Sequence, residues 1–283
     1  MIKKIVTAID FSECSMNAFR HSVDMARNLQ ADLIMVWVNP ETFKFVPSRE
    51  KTDDETVRAR EAFEGIWQQY HADLGDLELK YIIKRGQVYE QIVKTAIEEN
   101  ADLIVAGTHG VSGFREFWMG SNAFRLIMAS TLPVLTIREE TPLNQYLKKI
   151  VLPIDSTVET RQKNSIAAEF AKVFDAEVHV VGLYSSEVED IRKLVDSYLD
   201  DTITYLKEQG IKYQLAYKEC NNITNKTLEY AKEIDANLIV IMTEQEIKTA
   251  NLWMGPYARQ MINHAEIPVL SVKPQEFIDS MKS

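Results

Sequence analysis

Cysteine is scarce: only Cys14 and Cys220 occur in 283 residues, one in each half of the chain. Two thiols so placed supply neither a disulfide framework nor a zinc cluster, and read as unpaired thiols of a reducing compartment. Long apolar runs are missing as well. Nothing approaches the ~20 consecutive apolar residues of a membrane helix, and Met1-Ile2-Lys3-Lys4-Ile5 leads straight into a strand pattern with no signal-peptide core. Basic charge is in deficit, with 32 lysines and arginines against 42 aspartates and glutamates, a formal net charge of −10. Without a basic stripe, nucleic acid and anionic membrane surfaces are excluded as partners, while local binding of a small anion stays open. These shortages predict a soluble cytoplasmic protein. At 46% hydrophobic and 26% charged the composition is globular, and the length suits about two domains of roughly 100 to 200 residues each.

The chain is written twice. Lys4-Ile5-Val6-Thr7-Ala8-Ile9-Asp10 returns as Lys149-Ile150-Val151-Leu152-Pro153-Ile154-Asp155, and Ala101-Asp102-Leu103-Ile104-Val105 as Ala236-Asn237-Leu238-Ile239-Val240. Trp118-Met119-Gly120 returns as Trp253-Met254-Gly255, and Leu132-Pro133-Val134-Leu135 as Ile267-Pro268-Val269-Leu270. So long a period is a domain duplication, because solenoid repeats run at about 20 to 50 residues. The pattern breaks between Arg138 and Tyr146, which predicts domains at 1–140 and 147–283. In the first half, strand-length apolar runs (Ile5–Ile9, Leu33–Val38, Leu77–Ile83, Leu103–Ala106, Val134–Ile137) alternate with helical periods. The helices are expected at Glu13–Leu29, capped by Ser12 with Met16, Phe19, Val23 and Ala26 inward, at Glu55–His71, at Tyr89–Glu99 with Ile92, Val93, Ala96 and Ile97 inward, and at Asn122–Ala129. Such alternation predicts an α/β fold: two tandem doubly wound domains, each around a five-stranded parallel sheet.

A glycine loop follows the fourth strand: Gly107-Thr-His-Gly110, nine residues, then Gly120-Ser121. Gly107, Gly110 and Gly120 can take positive φ and let backbone N–H groups approach an anion, while Ser121 and Asn122 open the next helix, with Ser121 as its capping serine. The bland alternative is a flexible surface loop. In a doubly wound sheet the ligand lies beyond the carboxyl ends of the strands, where strand order reverses. If the first and fourth strands flank that reversal, Asp10 meets the loop there, either to accept hydrogen bonds from ribose hydroxyls or help hold a cation, or simply to cap the helix with Ser12. A Walker A loop is ruled out because Asn122, not lysine, follows Gly120-Ser121, and the Gly-x-Gly-x-x-Gly spacing is absent. His109 has no partner visible in sequence and is read as a loop or phosphate-proximal residue without chemistry. Arg115 and Arg125 are read as solvated, with phosphate pairing the alternative, and the repeated Trp-Met pairs as packing.

These residues resemble the ATP-binding kind of universal stress protein domain, whose Gly-x-x-Gly, nine residues, Gly-Ser pattern is reproduced by Gly107, Gly110, Gly120 and Ser121, and whose first strand ends in an aspartate, as in Asp10. The family's second strand ends in a pair whose backbone contacts adenine, where Trp37-Val38 stands here. The resemblance covers both halves and implies an adenine nucleotide alpha hydrolase-like fold. It places Ala8 and Val38 beside the base, Asp10 at the ribose, and the loop with its flanks, Ala106, Gly107, Thr108, Gly110, Gly120, Ser121 and Asn122, around the phosphates, with magnesium as an optional bridge and no dedicated metal ligands. It also implies last strands paired about a pseudo-twofold axis, an intramolecular pseudo-dimer that leaves a further homodimer of the full chain open. The second half departs from the pattern: Met242 and Gln245 stand at the positions of Gly107 and Gly110, and Pro256 at that of Ser121. Positive φ there would cost about 1 to 2 kcal/mol per side chain, and Pro256 removes one N–H and the hydroxyl. One ATP per chain is therefore expected, in a regulatory stress-response protein and not an enzyme. A slow ATPase or another enzyme of related architecture, and a ligand-free scaffold, are the alternatives.

Overall fold

The computed structural model describes residues 1–40, 49–109, 120–143, 147–243 and 256–275. The chain divides into two compact units, Met1–Leu143 and Asn144–Ser283. The first runs β1 (Lys4–Ala8), α1 (Glu13–Leu29), β2 (Asp32–Asn39), α2 (Arg49–Leu74), β3 (Leu79–Arg85), α3 (Val88–Glu98), β4 (Leu103–Gly107), α4 (Ser121–Ala129), β5 (Val134–Ile137). Its strands lie in the order β3-β2-β1-β4-β5 and all pairs are parallel. The second runs β6 (Lys149–Ile154), a 3-10 helix (Val158–Arg161), α5 (Asn164–Phe174), β7 (Glu177–Tyr184), α6 (Glu189–Glu208), β8 (Tyr213–Glu219), α7 (Ile223–Glu233), β9 (Leu238–Met242), α8 (Pro256–His264), β10 (Val269–Val272). Its order, β8-β7-β6-β9-β10, is again parallel throughout. Among the described residues no helix is long and apolar enough to cross a membrane.

Helices cover both faces of a doubly wound sheet, so its central strands are apolar without alternation. Ile5, Val6, Leu103, Ile104 and Val105 are wholly buried in one unit, and Ile150, Val151, Leu152, Ile239 and Val240 in the other. Ser12 caps α1 as expected, its side chain accepting from the Ser15 N–H. The repeat extends to backbone detail. α1 ends on Gln30 at φ 53° and α5 on Asp175 at φ 50°, while Asn100 (54°) and Asp235 (52°) precede β4 and β9.

Differences from the expected elements have local causes. β3 is shifted two residues along the chain because, as an end strand, it is mostly half-buried and its pattern reads ambiguously. In α3 it is Thr95 that turns inward with Ile92 and Ala96, whereas Ile97 is 54% exposed. At 100° per residue, Ile97 lies nearly opposite the face centred on Ile92.

Candidate functional site

The reversal of strand order falls between β1 and β4, which are paired with Ile5 opposite Leu103 and Thr7 opposite Val105. In a doubly wound sheet the crevice that receives a ligand lies beyond the carboxyl ends of these two strands, here beside the end of β2. Ala8 closes β1, and Val38 is 5% exposed near the end of β2. Asp10 lies two residues beyond β1. Its Oδ1 accepts from the Ser12 N–H at 3.0 Å and the Ser12 hydroxyl at 2.6 Å, and its own N–H donates to Ser15 Oγ at 3.2 Å. The aspartate is thus part of the turn that starts α1 as well as a carboxylate at the crevice. Phe11, between Asp10 and Ser12, is held at φ 63°, outside the usual range for a non-glycine residue.

On the other side, Ala106 and Gly107 end β4 opposite Thr136 and Ile137 of β5. The Thr108 N–H continues the ladder to the Ile137 carbonyl at 3.0 Å, and its hydroxyl lies 2.9 Å from His109 Nδ1. The Thr108 carbonyl accepts the Gly120 N–H at 2.9 Å, so the two ends of the glycine loop are tied together where α4 begins. Gly110 and Arg115 lie outside the described residues. Ser121 and Asn122 are exposed in the first turn of α4, and Arg125 stands 5.8 Å over the ring of Tyr89.

Two expectations about this loop are corrected. Gly120 has φ −56° and Gly107 is not among the glycines at positive φ, so neither is present for a left-handed backbone. Gly107 is required by close approach: a Cβ there would stand 2.8 Å from Cys14 Sγ and 3.1 Å from the Cys14 carbonyl, so β4 meets the start of α1 with no room for a side chain. Ser121 is also not the cap. Gly120 is the N-cap, with no side-chain hydrogen bond, because Ser121 already belongs to the helix. The first-turn N–H groups of α4 therefore have no capping side chain, the condition under which a helix N-terminus receives an anion. A second unmet group lies alongside: His109 Nε2 is buried with no hydrogen-bond partner among the described residues.

The second unit keeps the turn and changes its surroundings. Asp155 Oδ1 accepts from the Thr157 N–H at 2.9 Å and the Thr157 hydroxyl at 2.5 Å, repeating the Asp10–Ser12 turn. Met242 does not keep a positive φ: it sits in β9 with ordinary strand backbone, and a 3-10 helix packs against β9 where the first unit has an α-helical turn. Gln245 lies outside the described residues, and Pro256 is the first residue of α8. Sequence reasoning missed Lys163. It stands where the first unit has the buried Ala18 and is itself 2% exposed, its Nζ donating to the Thr160 carbonyl at 2.6 Å and Thr160 Oγ1 at 3.1 Å. Burial lowers its pKa to about 8, with Asp155 opposing the shift, and burial lowers Lys273 to about 8 as well. Among the described residues no cluster of His, Cys, Asp and Glu is placed to hold a metal ion.

Two doubly wound units, each with an aspartate turn just beyond the first strand at its strand reversal, define a duplicated α/β protein. The model of the Universal stress protein family matches residues 1–138 and again 147–273. The chain belongs to the universal stress protein family. Universal stress protein YxiE of Bacillus subtilis is 30% identical over 152 residues, which are 49% of this chain and 100% of YxiE. Universal stress protein MJ0577 of Methanocaldococcus jannaschii is 31% identical over 160 residues, 50% of this chain and 97% of MJ0577. The crystal structure of a universal stress protein from Archaeoglobus fulgidus superposes with a TM-score of 0.78, covering 96% of each chain at 17% identity, a likeness of fold.

Proposed function

We propose that the first unit binds one ATP in the crevice at the ends of β1 and β4, and that the nucleotide regulates the protein in a stress response instead of serving as the substrate of an efficient enzyme. The observation that carries this reading is the Thr108–Gly120 hydrogen bond, which ties the glycine loop to the uncapped N-terminus of α4. In this reading Ala8 and Val38 border the base and Asp10 meets the ribose. Ala106, Gly107, Thr108, Gly110, Gly120, Ser121 and Asn122 surround the phosphates. The uncapped amides of α4 and the unmet His109 nitrogen suit phosphate oxygens, and magnesium arriving with the nucleotide would offset the phosphate charge. The second unit has Met242 and Gln245 where the first has Gly107 and Gly110, and Lys163 and Lys273 are buried there. A regulatory role requires that ATP bind two conformations with different affinity. Rapid phosphoryl transfer needs a positioned water or acceptor and strong cationic stabilisation, which the described residues of the crevice do not supply.

Isothermal titration calorimetry with ATP, coupled to a phosphate-release assay, tests both parts. The expected result is a stoichiometry near one, with turnover far below the order of 1 per second typical of slow enzymes. Two equivalent sites, or no affinity for any adenine nucleotide, contradict the assignment of the site. Turnover at an enzymatic rate favours the ATPase.

A further inference from the structure

Each unit's strand order starts on a strand with one bonded neighbour, β3 beside β2 and β8 beside β7. The N–H and C=O groups of successive residues point alternately to the two sides of a strand. The Leu33 N–H donates to the Glu78 carbonyl at 2.8 Å and the Gly86 N–H to the Asn39 carbonyl at 3.1 Å, so the backbone groups of Leu79, Tyr81, Ile83 and Arg85 face away from β2. In the second unit the Val178 N–H donates to the Lys212 carbonyl at 2.9 Å and the Cys220 N–H to the Tyr184 carbonyl at 3.0 Å. The outward backbone groups of β8 are therefore those of Tyr213, Leu215, Tyr217 and Glu219.

An outward row of this kind templates pairing with another chain unless something blunts it. The first unit blunts it. Trp67 donates through Nε1 to the outward carbonyl of Leu79 at 2.9 Å, and β3 carries Lys80, Lys84 and Arg85. The second unit has lost that device. Counted back from Gly75 and Gly210, which follow the two helices at φ 62° and 68°, Thr202 stands at the position of Trp67. Thr202 is wholly buried and accepts from Asn164 Nδ2 instead. Among the described residues no hydrogen bond reaches the outward groups of β8. The two charges that β8 carries are neutralised within the chain, Lys218 by Glu233 at 3.3 Å and Glu219 by Arg192 at 2.5 Å. Tyr217 is 62% exposed, and Leu215 and Ala216 are half-buried.

We propose that the β8 edge is the interface for a second copy of this chain, which pairs with it antiparallel about a twofold axis at Ala216. Leu215 then faces Tyr217 of the second copy in a hydrogen-bonded pair, and Tyr213 faces Glu219 in the same way. Ala216 faces its own copy in a non-hydrogen-bonded pair, where the Cα atoms approach to about 4.5 Å and side chains crowd; a methyl group fits there. Lys218 meets Gln214, so no like charges stand opposite each other. Other axes are poorer: one at Leu215 would set Lys212 against Lys218, and one at Tyr217 would set Glu219 against Leu215. The pairing uses the second unit alone and is independent of nucleotide binding by the first.

The test uses the full chain. Sedimentation velocity across the micromolar range should show a dimer that grows with concentration. Tyr217→Pro removes an outward N–H that β7 does not use, and Ala216→Lys sets like charges together on the axis, so each should weaken dimerisation about tenfold or more. Mixing Ala216→Lys with Ala216→Glu should restore it. Cross-linking reads the register. In a Cys220→Ser background, Ala216→Cys should oxidise to a disulfide-linked dimer, because Cα atoms at about 4.5 Å lie within disulfide reach, and Gln214→Cys should not. Far-UV circular dichroism establishes that each variant is folded. A chain that stays monomeric throughout, or a dimer that Tyr217→Pro and Ala216→Lys both leave unchanged, would overturn the proposal. Cross-linking that is absent at position 216, or equally efficient at 214, would overturn the axis at Ala216.

Discussion

Lys163 offers a stability test whose size follows from its burial. Its folded pKa of about 8 lies below the ordinary 10.5. Below pH 8 the ammonium is charged in both states, and the folded state bears the full burial penalty, about 3 kcal/mol at 1.36 kcal/mol per pKa unit. Between pH 8 and 10.5 the unfolded chain binds more protons, so stability must rise with pH through that window. From pH 7 to 9.5 the rise is about 2 kcal/mol for Lys163, and Lys273, also at about 8, adds a similar amount. In Lys163→Met the penalty disappears, but the Thr160 carbonyl loses its donor. An orphaned buried acceptor costs about 1 to 3 kcal/mol, so stability at pH 7 should change little. The slope is the sharper readout. Urea unfolding followed through methyl signals of Val178, Val180 and Ile239 reports on the second unit, and subtracting the variant curve from the wild-type curve removes Cys220 and Tyr184, whose pKa values burial pushes upward. The difference should grow by about 2 kcal/mol from pH 7 to 9.5. Parallel curves would refute the reasoning, since they would mean that Lys163 keeps its ordinary pKa by reaching water.

The two described glycines of the loop should separate fold from binding. Gly107→Ala should destabilise the first unit by about 1 to 3 kcal/mol, as overpacking does, because its Cβ meets Cys14; chemical denaturation measures this, and an unchanged midpoint contradicts the close approach. Gly120→Val should leave the midpoint nearly unchanged, since a Cβ there comes no nearer than 3.4 Å to the Thr108 carbonyl, yet lower ATP affinity at least tenfold by calorimetry. Residues 1–143 expressed alone present β5, the end of their own strand order, as an apolar edge, and such edges pair. Sedimentation should therefore show a dimer or larger species, and a stable monomer at micromolar concentration would remove the edge argument.

Legibility in sequence followed the kind of constraint. α1 and β5 were bounded to the residue because a cap and a dense apolar face mark the helix, and a buried run marks the strand. β3 was misplaced because an end strand is only partly buried, and its charged residues blur both ends. Gly107 was correctly marked as special for the wrong reason: sequence shows that a side chain is excluded, but φ and contact are two different excluders. Here the excluder is Cys14, 93 residues away in the chain. Lys163 and Asn164 sit in the polar stretch Thr160-Arg-Gln-Lys-Asn-Ser165, which reads as a solvated helix start. Internal alignment held the missed signal, since Ala18 and Phe19 are inward positions of α1 and their counterparts inherit the same burial.

That inheritance explains why divergence at the start of one helix has consequences on two sides. Gly107 lets α1 begin as a regular helix against β4, which points Ala18 at the sheet and Phe19 at the neighbouring helix. With Met242 in place of that glycine, the second copy opens on a 3-10 helix, which winds its side chains by about 120° per residue instead of 100°, and α5 proper starts only at Asn164. The inward place holds a lysine whose ammonium is tied to the turn itself, and the neighbouring place holds an amide hydrogen-bonded to Thr202 of α6. Loss of glycine at the end of β9 and burial of a lysine behind the 3-10 turn thus fall at the same helix start. Restoring the glycine alone would not restore the first copy, because Lys163 would still stand at the position where the first copy buries Ala18 completely.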